Sequence, residues 1–221
     1  AHTEASQMKI AILGTGDVGR ALGKGFIESG HEVRMGSRDA KHEKMLGWVK
    51  EMGPKASGGT FAEAAQFGEM IVVATLGMAN EAALKMAGPE NFRGKVVIDT
   101  TNPLDFSKGM PPTLAISGSD SGGERVQKML PGAKVVKAFN IVGNSNMVHP
   151  KIAGGPPDML IAGNDAGAKL EVTKLLKEWD WNVTDIGGIE GARYLEAMCI
   201  AWVLYGAANQ TWTHAFKFIR A

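Results

Sequence analysis

"KIAILGTGDVGRALGKGFIESGHEVRMGSRD", residues 9–39, decides the fold. A short continuous apolar run, "MKIAIL" (8–13), ends in Gly14-Thr15-Gly16-Asp17-Val18-Gly19. A helical pattern follows, with Val18, Leu22 and Phe26 recurring at four-residue spacing, and then a second apolar run, "HEVRM" (31–35). G-x-G-x-x-G alone is a weak signal in a chain with 29 glycines. Between a strand and a helix it marks a dinucleotide-binding turn. Gly14 permits the tight turn out of the strand, Gly16 lets the backbone approach a pyrophosphate, and Gly19 lets the helix pack close to the sheet. The helix N-terminus then offers free N–H groups and a partial positive charge to the phosphates.

The tip of the second strand reports which dinucleotide is bound. A fold specific for NAD places Asp or Glu there, on the ribose 2′-OH. This chain has Ser37 and Arg38, while Glu32 lies too early and Asp39 is expected to cap the next helix. A hydroxyl and a forked guanidinium suit a 2′-phosphate. NADP(H) is therefore expected, with a surface arginine in a salt bridge as the competing reading of Arg38. Lys41 and Lys44 read as a solvated helix face.

Outward from this unit, "EMIVVAT" (69–75), "KVVIDT" (95–100) and "AKVVKAF" (133–139) are Val/Ile-rich runs of strand length. They suit strands covered on both faces. Helical patterns fall between them at 40–52, 61–67, 78–87 and 122–130. The alternation predicts an α/β fold with a doubly wound parallel sheet. Near 141 the texture changes. "VGNSNMVHPKIAGGPP" (142–157) reads as a long connection. Strands at 158–163 and 181–187 enclose a helix carrying Leu170, Val172, Leu175, Leu176 and Trp179. The rest, 189–220, reads as largely helical with an interruption near Asn209-Gln210, and "MCIAWVLYGAA" (198–208) as a buried helix. The expected organisation is a nucleotide-binding domain over 8–143 and a small α/β-to-helical extension over 144–221.

In such sheets the cofactor crosses the carboxyl ends of the strands. The nicotinamide end is then expected at Thr75, Leu76 and Gly77, at Thr100 to Pro103, and at Ala138, Phe139 and Asn140. Leu76 can pack on the ring, and Asn102 and Asn140 can bond the carboxamide or the electron acceptor. Asn102-Pro103 can equally be a simple turn. Lys137 reads as a strand-end lysine with its ammonium in solvent; the alternative is a proton donor of lowered pKa. His149 and His214 read as hydrogen-bonded structural histidines, and Cys199 as a small core residue. No Ser/His/Asp signature and no H-E-x-x-H is present. An alcohol dehydrogenase must move a proton along with the hydride, whereas transfer between two ring cofactors needs mainly orientation. The site fits the second case better.

These segments resemble a known family. The opening stretch is similar to the start of the deazaflavin (coenzyme F420)-dependent NADP oxidoreductases. "VVIDTTNPLDF" and "VVKAFN" resemble segments of the reductase domain of the STEAP metalloreductases. "LIAGNDAGAKLEVTKLLKEWDWNVTDIGGIEGARYLEAM" is similar to the C-terminal part of both. The resemblance spans nearly the whole chain. It implies a Rossmann domain, a small C-terminal segment serving as acceptor wall and dimer interface, and a homodimer. It implies NADP(H) on Thr15, Gly16, Asp17 and Val18 at the pyrophosphate and on Ser37 and Arg38 at the 2′-phosphate. It also implies a second redox ring, coenzyme F420 or a flavin (FAD or FMN), facing the nicotinamide. The chain departs from the family's pattern at Asn140, at Gly77 and in a shorter glycine loop. These departures leave the nucleotide half intact and bear on the acceptor.

Two other readings stay open: a small-molecule dehydrogenase or an imine or carbonyl reductase, with Lys137 or a water as proton relay, and a non-catalytic NADP-binding sensor. Composition narrows the setting. The 221 residues are 44% hydrophobic and 21% charged, with a formal net charge of +1. That balance gives no pull toward nucleic acid or an anionic membrane. A single cysteine excludes an internal disulfide and a Cys/His metal site, and no metal is expected. The opening "AHTEASQ" lacks a signal-peptide pattern, and the longest apolar run is too short to span a bilayer. A cytoplasmic protein with a small-molecule redox acceptor is the expectation.

Overall fold

The computed structural model describes residues 6–221, so most of the polar opening stretch lies outside the described residues. Strand β1 (Lys9–Leu13) leads into helix α1 (Asp17–Glu28), β2 (Glu32–Ser37), α2 (Glu43–Met52), β3 (Ala56–Thr60), α3 (Phe61–Phe67) and β4 (Met70–Val73). Then come α4 (Asn80–Ala87), β5 (Val96–Asp99), the small hairpin β6 (Leu104–Asp105) and β7 (Thr113–Leu114), α5 (Gly122–Met129) and β8 (Lys134–Lys137). The chain closes with β9 (Asp158–Gly163), α6 (Ala166–Glu178), β10 (Asn182–Asp185) and α7 (Ala192–Asn209).

Eight strands form one sheet in the order β10-β9-β8-β5-β4-β1-β2-β3. All neighbours are parallel except β8 and β9, which pair antiparallel through Val136–Gly163 and Lys137–Ala162. β9 and β10 thus extend the same sheet.

Side-chain alternation along the strands builds two cores. Ile10, Ile12, Val72, Ile98 and Val136 meet Leu22, Phe26, Trp48 and Trp179 on one face. Ala11, Leu13, Ile71, Val73, Val97 and Val135 meet Phe61, Leu84, Phe92 and Val126 on the other. A third cluster, including Ile141, Leu160, Leu195 and Cys199, lies under α7. Strand order reverses between β1 and β4, and the crevice outside their carboxyl ends is where a doubly wound sheet binds its ligand.

One strand was not foreseen, and three expectations need correction. β3, "ASGGT", was not legible, because it has no Val or Ile. Asp39 does not cap α2. Its side chain accepts from Lys41 N–H at 2.9 Å and its carbonyl from His42 N–H at 3.1 Å, which closes a turn before the helix begins. The C-terminal region is helical only to Asn209. Gln210 takes a left-handed conformation (φ 50°), and the chain then returns without helix to bond Asp158 from Phe216 and Phe218. α7 itself is only half-buried, with Tyr194, Leu204 and Tyr205 exposed.

Candidate functional site

The glycine turn sits at the reversal point. Gly14 has φ +119° and lies so close to β4 that a Cβ there would run into the Ala74 carbonyl, so only glycine fits. Gly16 has open space where a Cβ would be. The start of α1 is without a side-chain cap, and Asp17 turns its carboxylate aside onto Arg20. The shape fits a pyrophosphate approaching the backbone.

At the tip of β2, Ser37 is buried and Arg38 is exposed. Arg38 makes no ion pair with any described residue, so the salt-bridge reading of it falls away. Lys41 and Lys44 lie exposed, as expected of a solvated face.

The nicotinamide-side candidates come together. Asn102 donates its amide to the Asn140 carbonyl at 2.9 Å, and Asn140 donates to Asn102 Oδ1 at 2.8 Å and to the Leu195 carbonyl at 2.9 Å. Asn140 Oδ1 is buried with no hydrogen-bond partner among the described residues. Phe139, just before it, is held at φ +64°, a conformation that costs an ordinary residue energy and recurs at functional sites. Gly77 packs against the backbone carbonyl of Asn102, where any Cβ would overlap. Leu76 projects from the same turn, 83% exposed. Ala138 differs from the rest: it is wholly enclosed, and its N–H bonds the Asp99 carbonyl. A cleft of about 700 Å³ opens beside the β4 turn, lined by Gly77, Met78, Asn80, Ile116, Gly122 and Arg125 among others.

Behind this end lies a polar network. Lys137 is fully buried, which corrects the expectation of a solvated ammonium. Its Nζ donates to Asp99 Oδ2 at 2.8 Å and to the Thr101 carbonyl at 2.6 Å, and pairs with Glu196 at 2.9 Å. Burial alone would push the ammonium pKa down, but Asp99 and then Glu196 outweigh it and hold the pKa above the ordinary lysine range. Sealed from solvent and committed to Asp99, the Thr101 carbonyl and Glu196, the ammonium is poorly placed for a proton relay. Glu196 also accepts from the Gly122 and Gly123 N–H groups at 2.7 and 2.9 Å, joining α7 to the start of α5. Arg193 reinforces that joint with a two-point grip on Glu124 at 2.9 and 2.7 Å.

The sequence reading missed Asn80, Asp99 and Glu196. One signal was available: "VVID" and "VVK" end two apolar strands in opposite charges, and Asp99 and Lys137 stand opposite each other in register.

His149 bonds Asp180 and His214 bonds the Trp202 carbonyl, both structural roles. Cys199 is buried, and burial pushes its thiol pKa up to about 11.

The family model described as NADP oxidoreductase, coenzyme F420-dependent, matches residues 9–103. The F420-dependent NADP reductase of Methanothermobacter marburgensis is 34% identical over 201 residues, covering 86% of this chain and 88% of that protein. The chain belongs to the coenzyme F420-dependent NADP oxidoreductase family. It is accordingly an NADP-dependent oxidoreductase. A crystal structure of a protein from Arthrobacter sp. FB24 assigned as an F420-dependent NADP reductase is 43% identical with a TM-score of 0.92, over 96% of this chain and 100% of that one. The metalloreductase STEAP3 of Rattus norvegicus is 28% identical over 86% of this chain, which corresponds to 36% of that protein. A reductive aminase from Aspergillus terreus in complex with NADPH shares the fold at a TM-score of 0.66 and 20% identity, over 93% of this chain and 64% of that one. Among the described residues no helix is long and apolar enough to cross a membrane.

Proposed function

We propose that this member of the family binds NADP(H) along the β1/β4 crevice and passes a hydride between the nicotinamide and a deazaflavin acceptor of the coenzyme F420 type. The pyrophosphate lies on the first turn of α1, the 2′-phosphate on Ser37 and Arg38, and the nicotinamide end among Thr75, Leu76, Asn102 and Asn140. The two cofactors supply the redox chemistry. The chain's own residues supply position: the β4 turn and the Asn102–Asn140 pair hold the approach geometry, and Leu76 offers an apolar face to a ring. The cleft beyond Gly77 gives room for the acceptor.

One observation carries the reading. The nicotinamide end is lined by hydroxyls, amides and a leucine, while the charged groups behind it are committed to one another. That lining suits direct transfer between facing rings, where close approach supplies most of the rate. The family match and the M. marburgensis reductase, matched over 88% of its length, favour F420 as the acceptor.

Purified protein should oxidise NADPH with F420 faster than with FMN, FAD, ferric chelates or a panel of small carbonyls and imines. Turnover with a carbonyl or imine and none with F420 would overturn the acceptor reading.

We further propose that the chain works as a homodimer through α7. Tyr194, Ala197, Ala201, Leu204, Tyr205 and Ala208 form one exposed apolar stripe along that helix. An apolar stripe of this kind marks an interaction surface.

A further inference from the structure

The geometry points to Lys137 as a positioning residue that fixes the Thr75 hydroxyl as a hydrogen-bond acceptor for the amino group of the nicotinamide carboxamide. This rests on the NADP reading of the crevice and adds to it a mode of recognition at the reactive end.

The inference follows from one chain of hydrogen bonds. Thr75 Oγ1 lies 2.5 Å from Asn80 Oδ1. Asn80 Nδ2 lies 2.7 Å from Thr101 Oγ1, and Thr101 Oγ1 lies 2.6 Å from Asp99 Oδ1. Asp99 Oδ1 also accepts the Thr101 backbone N–H at 2.9 Å, and Asp99 Oδ2 accepts from Lys137 at 2.8 Å. Asn80, Asp99, Thr101 and Lys137 are all buried, so water cannot re-satisfy a link that turns the wrong way.

The direction of every link is set from the lysine end. The ammonium is donor-only, so Asp99 Oδ2 accepts from it, and Asp99 Oδ1 accepts from the Thr101 backbone N–H, which has no lone pair to offer in return. The Thr101 hydroxyl must then give its single proton to Asp99. Its oxygen can only accept from Asn80, which forces the Asn80 amide nitrogen toward Thr101 and the amide oxygen toward Thr75. Thr75 must in turn donate to Asn80. The one proton of the Thr75 hydroxyl is spent, and only lone pairs remain for a ligand.

Thr75 stands where β4 ends, beside Leu76 and Gly77 and at the reversal of strand order. A ligand group meeting its oxygen must be a donor. The carboxamide NH2 is a donor, whereas a methyl ketone at the same ring position is not. The polarised hydroxyl therefore distinguishes a carboxamide from its isosteres and holds the ring against rotation about its glycosidic bond.

The test is a set of fluorescence binding titrations on the full chain with three ligands: NADPH, NADH, and the reduced 3-acetylpyridine analogue of NADPH, which keeps the carbonyl and lacks the amino group. Wild type should prefer NADPH to the acetylpyridine analogue roughly three- to tenfold, the worth of one hydrogen bond. Thr75→Val should bring that ratio to about one while leaving the NADPH-to-NADH ratio unchanged. Lys137→Met is liable to unfold the chain, so the relay is tested at Thr101. Thr101→Val should lower the carboxamide preference, and Thr101→Ser, which keeps the hydroxyl, should restore it.

Equal wild-type binding of NADPH and the analogue would overturn the inference, as would retention of the preference in Thr75→Val. Loss of the preference in Thr75→Val with retention in Thr101→Val would overturn the part assigned to Lys137. Failure of wild type to bind NADPH at all would instead remove the cofactor reading beneath it.

Discussion

Arg38 and Cys199 show how differently single residues are governed in this molecule. Arg38 is exposed and has no partner among the described residues, so its guanidinium is available to a ligand at no cost in broken contacts. A charge-assisted hydrogen bond contributes about 1.5–3 kcal/mol. Arg38→Ala should therefore weaken NADPH binding by about tenfold or more and leave NADH binding nearly unchanged, as read from direct titration of both. An equal loss for both nucleotides would remove Arg38 from the 2′-phosphate. Cys199 is governed by burial. Its thiol is pushed up to about 11, mainly by desolvation, so thiolate is scarce at ordinary pH. A colourimetric thiol reagent at pH 8 should react with the native protein negligibly and stoichiometrically once urea is added. Rapid reaction of the native protein would show that the cluster under α7 opens.

Between elements, the joint of α5 with α7 carries the charge. Glu124 sits below the ordinary glutamate range, chiefly through the hydrogen bond from Arg193, against an opposing effect of burial. A carboxyl whose pKa is lower folded than unfolded stabilises the fold above the unfolded value, near ~4.5, and that contribution is lost as pH falls through the folded value. Glu124→Gln should cost about 0.5–1 kcal/mol at pH 7, since both partners are partly exposed. In urea midpoints the gap from wild type should begin to narrow as pH falls through the ordinary glutamate value and vanish once it has passed the lower folded value. A constant gap across that range would show that packing, not charge, explains the loss. The Lys137 cluster is of another order. Lys137→Met strands Asp99 and Glu196 without their cation in the sheet, and a loss of about 3–5 kcal/mol is expected in the same assay.

Elements also mark how far the sequence could be read. α3 at 61–67 and β9 at 158–163 were legible to the residue, because each is a local pattern bounded by turn residues. β3 was not, since "ASGGT" is a strand only by pairing with β2. The candidate site divides in the same way. Gly14 to Gly19, Ser37 and Arg38 lie within a single βαβ unit and could be read there. Lys137 was misread because its partners lie 38 residues away at Asp99 and on α7 at Glu196, and only the opposite charges at two strand ends hinted at the first of them.

At the scale of the whole molecule, the sheet leaves one side unfinished. β9 and β10 lengthen it, but the helix that follows them covers its cluster with only one face. Leu195, Cys199 and Val203 point inward, while Tyr194, Leu204 and Tyr205 stay exposed. The same helix carries Glu196 and Arg193 to the start of α5 and takes the Asn140 amide on its Leu195 carbonyl. A cover over the outer stripe would therefore act on the proposed acceptor side of the crevice through α7. A second copy of the chain, stripe to stripe, is the cover we propose, since the alanines along the stripe leave grooves that the larger side chains of a facing helix can fill. Leu204→Asp, well away from the nucleotide turn, should shift the sedimentation mass from dimer toward monomer. It should leave NADPH affinity intact while lowering the rate with F420, because α7 loses its backing. A monomeric wild type would remove the stripe from that role, and a monomeric variant with undiminished turnover would uncouple the interface from the site.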